Sequence, residues 1–271
     1  MTTQEAGLKD RWALVLGASS GFGAATAIEL ARCGMHIFGV HLDMRVTLPN
    51  AERVVKTIEG LGRRAVFFNA NAANAERRKQ ALDRMQATLA EAGTPDGVRV
   101  LLHSLAFGTL KPYIGATAED SLSQAQMDMT LDVMAHSLVY WTQELVFRGM
   151  MGAGGRVFAM TSAGSQRVIP DYGAVSAAKA ALESHTRQLA FELIKKGITV
   201  NAIRAGVTDT PALRKIPSHA AIIQQATAHN PGGRMTTPED VARAIAVLSQ
   251  PGTGWMTGNV INVDGGEDVV V

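Results

Sequence analysis

Tyr172 and Lys179 stand seven positions apart in YGAVSAAKAAL, and a phenol and an ammonium so placed can act together on a proton or on a developing negative charge. Seven positions is two helical turns, about 700° at roughly 100° per residue, so both side chains share one helix face. The chain has only three tyrosines, Tyr113, Tyr140 and Tyr172. Four positions beyond them lie Thr117, Glu144 and Ser176, so no tyrosine has a lysine at that spacing. Tyr172 therefore stands about one turn further from its lysine than a four-residue spacing would place it. That displacement bears on which bond the pair could help to reduce.

A second constellation follows the first apolar run, where the chain reads LGASSGFG with glycines at Gly17, Gly21 and Gly23. A tight strand-to-helix turn needs residues without a Cβ, and the helix it opens offers free amides to a diphosphate. Ser19 and Ser20 can add hydroxyl donors, and Phe22 lies between the last two glycines. The pattern follows a strand, opens a helix and begins a strand–helix alternation, so it reads as a dinucleotide site. At the adenosine end, Asp43 in VHLDMR would hold a ribose 2′-hydroxyl, whereas His41 and Arg45 would favour a 2′-phosphate. Two basic groups against one acid point to NADPH, with NADH as the alternative. Asn71 and the adjoining Ala72 are placed to frame the adenine, although Asn71 could equally cap the helix that follows.

The elements that must position these residues alternate along the whole chain. Strands are expected at Trp12–Leu16, His36–Val40, Ala65–Asn69, Val98–His103, Arg156–Thr161, Thr199–Arg204 and Val260–Val263. Helices are expected at Phe22–Cys33, Ala51–Leu61, Asn74–Glu91, Ser121–Phe147, Tyr172–Lys196 and Pro238–Ser249. Gly34, Gly62, Gly93 and Gly197 fall just past helical patterns, where a left-handed residue ends a helix. Such alternation implies an α/β fold: one Rossmann-like, doubly wound parallel sheet of about seven strands with helices on both faces. No composition break divides residues 1–271, so a single domain is expected. The stretch from Thr210 to Pro231, with a helical piece near Ser218–Ala228 and then NPGGR, interrupts the rhythm and reads as a lid inserted over the site, or more simply as a surface excursion.

Composition excludes several classes. A net charge of +2, with no block of five like charges, gives no case for a nucleic-acid or membrane partner. The single cysteine, Cys33, cannot form an intrachain disulfide and falls in an apolar stripe, as a small hydrophobe would. No apolar run reaches the roughly 20 residues needed to cross a membrane. The N-terminus, MTTQEAGLKDRW, lacks a signal-type apolar core, so a cytoplasmic location is the default. The 12 methionines read mainly as core filler. His136 and His185 have no metal-ligand partners at useful spacing.

Three passages carry a family likeness: the glycine turn, HSLAF (His103 to Phe107), and TSAGSQRVIPDYGAVSAAKAALE followed by VNAIRAGVTDT. Through them the chain resembles the short-chain dehydrogenase/reductases from Trp12 to Gly266. More narrowly it resembles the enoyl-[acyl-carrier-protein] reductases, whose signature is Tyr-x6-Lys, and among these the type called enoyl reductase III, whose late loop and INVDGG ending are also similar. The resemblance implies that Tyr172 bonds a thioester carbonyl, that Lys179 binds the nicotinamide ribose and lowers the tyrosine's pKa, and that Ser162 is the family serine after the fifth strand. It implies Ser104 at the cofactor, and Gly206, Val207, Thr208 and Thr210 along the nicotinamide and diphosphate. It further implies an acyl thioester substrate on acyl carrier protein or coenzyme A, and a homo-oligomer, dimer or tetramer, paired through the helices Ser121–Phe147 and Tyr172–Lys196.

Departures from the wider family sharpen this reading. Val175 occupies the place where a ketoreductase carries its tyrosine, and Met134 the place of the family's catalytic asparagine. Leu16 replaces the threonine that commonly opens the glycine motif. In enoyl thioester reduction, hydride attacks the β-carbon while charge builds on an oxygen three bonds away, so the stabilising phenol must stand further from the nicotinamide. Asp171, after Pro170, is expected to cap the helix and fix that phenol. A basic patch for an acidic carrier protein is expected around Arg214, Lys215 and Arg234. The competing readings are reduction of a ketone, alcohol dehydrogenation or reduction of another activated alkene, and a cofactor-binding regulator without turnover, which has no need of the tyrosine.

Overall fold

The computed structural model describes residues 7–94 and 97–270. Residues 1–6 of the N-terminal segment lie outside the described residues. Strand sequences such as WALVL are apolar at every position, so both faces must be covered. Trp12, Leu14 and Leu16 enter one apolar layer while Ala13 and Val15 enter the other, as a period of two requires. The strand they form, β1 (Trp12–Leu16), accordingly sits inside the sheet, paired in parallel with β2 (His36–His41) and β4 (Val98–His103). With β3 (Ala65–Asn69), β5 (Arg156–Thr161), β6 (Thr199–Ala205) and β7 (Val260–Val263), the sheet runs β3-β2-β1-β4-β5-β6-β7.

One face of the sheet carries α1 (Gly21–Arg32), α2 (Leu48–Gly60) and, from late in the chain, α8 (Pro238–Leu248). The other carries α3 (Ala75–Glu91), α4 (Gln124–Leu131), α5 (Ser137–Phe147) and α6 (Gly173–Leu193). The remaining helix, α7 (His219–His229), lies in the segment that interrupts the alternation. The order of the strands reverses between β1 and β4, and at such a switch point ligands bind outside the carboxyl ends of the strands. Met134, Met150 and Met151 are buried core residues, and Cys33 packs against the α1–α8 layer. The four helix-ending glycines all adopt positive φ.

Four local features differ from the sequence reading. The helix expected from Ser121 starts at Gln124, because Ser123 and Gln126 form a reciprocal cap there. A π-helical turn at Asp132–His136 then divides α4 from α5. The start of α6 also shifts. Asp171 takes φ 60°, a left-handed turn conformation that aspartate tolerates, and so cannot provide the extended backbone of an N-cap. Tyr172 itself occupies the cap position, and α6 begins at Gly173. Finally α2 begins at Leu48, ahead of the expected Ala51, with Pro49 in its first turn.

Candidate active site

The glycine turn is dictated by close backbone approach. A Cβ on Gly17, at φ +89°, would lie 2.2 Å from the carbonyl oxygen of Ser104, and one on Gly23 would lie 2.1 Å from that of Gly17. Ser104 is held beside the turn by its N–H donating to Leu16 O at 2.9 Å. At the start of α1, Ser20 makes no side-chain cap and the first turn has no acid, so the helix amides remain available to an anion. Thr210 approaches the same place, its Cγ2 being 3.6 Å from where a Cβ on Gly21 would stand. An uncapped helix start, a turn with no room for side chains and a threonine from the loop after β6 together fit a dinucleotide diphosphate.

The adenosine end is more closely knit than the sequence suggests. His41 is buried and its Nδ1 lies 2.8 Å from Asp43 Oδ2. Asp43 is tied down further by its N–H donating to Asn69 Oδ1 at 3.0 Å. Burial pushes the Asp43 carboxyl up, but hydrogen bonds from Thr47, Ser19 and His41 outweigh it and leave the group below its usual range. Thus His41, expected as a base facing a 2′-phosphate, turns to Asp43 instead, and Arg45 is the exposed cation. Asn71 is exposed and spends its Oδ1 on the N–H of Ala73, within its own turn, while Ala72 is buried. The cap of α3 is Asn74, which accepts from Arg77 N at 2.9 Å.

Around α6 the structure brings Ser162, Tyr172 and Lys179 to one place. The Tyr172 ring lies over Gly164, where a Cβ would come within 2.6 Å of it. Burial raises the Tyr172 phenol, and a hydrogen bond with Ser162 opposes that rise. Ser162 also accepts from Gly164 N at 3.1 Å, and the Ser176 hydroxyl donates to Gly164 O. Lys179, only 5% exposed, donates from Nζ to Met160 O at 2.7 Å and Leu105 O at 3.4 Å. Burial drives its pKa down to about 8, against the pull of Glu183. Behind it His103 is fully buried, with Nε2 2.8 Å from Ser137 Oγ. At Gly108 a Cβ would meet Met134 Sδ at 2.9 Å and Val175 Cγ2 at 3.0 Å, so those two side chains converge from the π-helical turn and from α6.

In the loop after β6, expected along the nicotinamide, Thr208 and Thr210 are buried, and the Thr208 hydroxyl donates to Gly206 O at 2.9 Å. The Val207 N–H is held by Glu267, whose oxygens accept it at 3.0 and 3.2 Å. Burial raises the Glu267 carboxyl above its usual range. Sequence reasoning missed Glu183 and Glu267. The first left one faint signal, its position one helical turn beyond Lys179, and the second left none. Of the expected basic patch, Arg214 is paired with Asp209 at 2.7 Å and Arg234 with Asp240 at 2.6 Å. His136 Nδ1 meets His185 Nε2 at 3.0 Å, and among the described residues no three His, Cys, Asp or Glu side chains group to hold a metal ion. Among them, too, no helix is long and apolar enough to cross a membrane.

A parallel sheet with this glycine turn and a Ser–Tyr–Lys group whose lysine is buried fits a nicotinamide-dependent oxidoreductase of the Rossmann-like class. The chain belongs to the short-chain dehydrogenase/reductases: the family model described as enoyl-(acyl carrier protein) reductase matches residues 17–267. It is similar to an NADPH-dependent aldehyde reductase-like protein of Arabidopsis thaliana, 31% identical with 96% of this chain and 94% of that protein covered. It is also similar to an enoyl-[acyl-carrier-protein] reductase [NADH] of Aquifex aeolicus, 31% identical over 63% of this chain and 62% of that one. Among solved structures, a short chain dehydrogenase from Burkholderia cenocepacia in complex with NADP superposes with a TM-score of 0.80 at 28% identity, covering 96% of this chain and 99% of that one. The protein is an NAD(P)H-dependent oxidoreductase of this family.

Proposed function

We propose that the protein reduces the C=C bond of an enoyl thioester, carried on coenzyme A or an acyl carrier protein, with NADPH as the preferred donor. The observation that carries this reading is the packing at Gly108. Met134 and Val175, which stand where the resemblance places a catalytic asparagine and a ketoreductase's tyrosine, converge there with side chains that can donate no proton, and the third neighbour, Thr130, presents its methyl while its hydroxyl is spent on Gln126 O and Thr109 N. The phenol comes instead from Tyr172, ahead of α6 and beside Ser162.

When bound, the nicotinamide supplies a hydride to the β-carbon. Tyr172, kept protonated by burial, hydrogen-bonds the thioester carbonyl, where negative charge builds during the transfer, and the enolate so formed then takes a solvent proton at its α-carbon to complete the saturated acyl thioester. Ser162 orients that hydroxyl, and Lys179 holds the ribose with a positive charge at its back. Phe107, Tyr113 and Ile114, in the loop after β4, and Val168, in the loop before α6, expose apolar surface that suits an acyl chain. Residues 210–231 act as a lid. Thr210 and Asn230 are buried at its two ends, Asn230 donating to Asp264 O at 2.8 Å, while most of α7 between them faces solvent. In this reading Gly17, Ser19, Ser20, Gly21, Phe22 and Gly23 cradle the diphosphate, Arg45 meets a 2′-phosphate, and Lys215 is the unpaired cation left for a carrier protein. The protein works in the cytoplasm as a homo-oligomer.

The test is nicotinamide oxidation with crotonyl-CoA and with acetoacetyl-CoA, using NADPH and NADH in parallel. Turnover of crotonyl-CoA alone is expected, falling by about a hundredfold or more in Tyr172→Phe. Turnover of acetoacetyl-CoA alone would assign the carbonyl chemistry instead.

A further inference from the structure

A row of charges runs from the reacting group to the surface. One helical turn beyond Lys179, the Glu183 Oε1 atom accepts from Thr161 Oγ1 at 2.7 Å, from Ser165 Oγ at 2.8 Å and from Arg204 Nη2 at 3.3 Å. Arg204 Nη1 in turn meets Asp268 Oδ2 at 3.0 Å, and Asp268 Oδ1 meets Arg167 at 2.8 Å. The signs alternate along Lys179, Glu183, Arg204, Asp268 and Arg167. Glu183 and Arg204 are 6% and 6% exposed, as deep as Lys179, and only Arg167 reaches water freely. Burying a carboxylate is unfavourable unless it is paired and fully hydrogen-bonded, and here its donors come from β5, the Ser162 turn and β6 at once.

We propose that Glu183 is a positioning residue of the hydride-transfer site: it fixes the Thr161–Ser165 turn that presents Ser162, and it balances the buried ammonium of Lys179 one turn away. The proposal rests on the reading of Lys179 as the cofactor-binding group, and not on which bond is reduced. The groups facing Lys179 are few. His103 at the end of β4 is neutral, since burial and the lysine charge press its pKa to about 3. The strand β5 and the loop after β4 offer only the carbonyls of Met160 and Leu105, and Tyr172 is held protonated. Glu183 is thus the carboxylate that acts on Lys179 among the described residues, opposing the loss of its proton. Arg204 competes for the same carboxylate from β6, and Asp268 and Arg167 stand behind it.

The experiment is a titration of the nucleotide-free protein labelled with ¹³Cε-lysine, the Lys179 resonance being assigned by its absence in Lys179→Arg. In Glu183→Gln, which keeps the shape and removes the charge, the Lys179 midpoint falls by about one pH unit or more. The pH above which NADPH affinity weakens, read by nicotinamide fluorescence, falls with it, and Glu183→Asp restores most of both shifts. In Arg204→Gln the midpoint moves the other way, because Glu183 loses its competing cation. An unchanged midpoint in Glu183→Gln overturns the proposal, as does a fall in Arg204→Gln, which also decides the matter if the first variant does not fold. Shifts as expected in a protein that reduces acetoacetyl-CoA rather than crotonyl-CoA would support the role of Glu183 and overturn the enoyl reading alone.

Discussion

Acidification should destabilise this protein in large part through one ring. His103 has no exposed surface, and burial, reinforced by the Lys179 charge, lowers its pKa from 6.5 to about 3. Between those two values the unfolded chain takes up a proton that the native state refuses. The unfolded state then binds more protons, so stability is complete above pH 6.5 and is lost as pH falls towards 3. At 1.36 kcal/mol per pKa unit, the ring withdraws about 2.7 kcal/mol between pH 7.5 and 4.5, and about 5 kcal/mol below pH 3. That is a large share of the roughly 5–15 kcal/mol by which domains are stable. Urea unfolding at fixed protein concentration, at pH 7.5 and 4.5, measures it in the wild type and in His103→Gln, which keeps a donor for Ser137. The variant should lose about 2.7 kcal/mol less over that interval. His36 and His185, whose pKa values burial also lowers, act alike in both proteins and drop out of the comparison. Equal losses in the two proteins would refute the reasoning.

Other substitutions probe the rest of the site. Gly23→Ala drives a methyl to 2.1 Å from the Gly17 carbonyl, backbone against backbone, and should destabilise the protein by about 3 kcal/mol in thermal or urea unfolding while leaving little nucleotide affinity. Asp43→Ala removes a carboxylate already engaged by His41, Ser19 and Thr47, so NADPH and NADH affinities should fall by similar factors of about ten. A large loss confined to NADH would overturn the NADPH preference. Glu267→Ala frees the Val207 amide, and the dissociation constant for NADPH, read by fluorescence, should rise about tenfold with no change in the fold's circular dichroism.

The strands were the most legible part of the chain. Buried parallel strands must be apolar on both faces, so WALVL, VRVLLH and RVFAMT could be placed to the residue from composition alone. The glycine turn was legible for a similar reason, since a backbone that passes 2.1 Å from a Cβ position admits one residue type. The start of α6 was not, because Asp171 can serve either as an extended cap or as a left-handed turn, and the following tertiary packing of Tyr172 on Gly164 chose the turn. Glu183 looks like any helical acid until β6 brings Arg204 against it, 21 residues away in sequence. Glu267 reaches Val207 across 60 residues, a pairing that no local pattern encodes. Ser123 and Gln126 did carry a local signal, the capping box, and it marks the true start of α4.

That last reach orders events during synthesis. The segments expected to meet an adenosine follow β1, β2 and β3, all complete within the first 69 residues. The amide of Val207 waits for a carboxylate made 60 residues later. At about 5–20 residues per second the wait is about 3–12 s. Through that interval β6 also has no β7 beside it, and an unpaired strand edge is what chaperones and wrong partners seek. The part of the chain expected to meet an adenosine is therefore complete well before the Val207 amide has its acceptor.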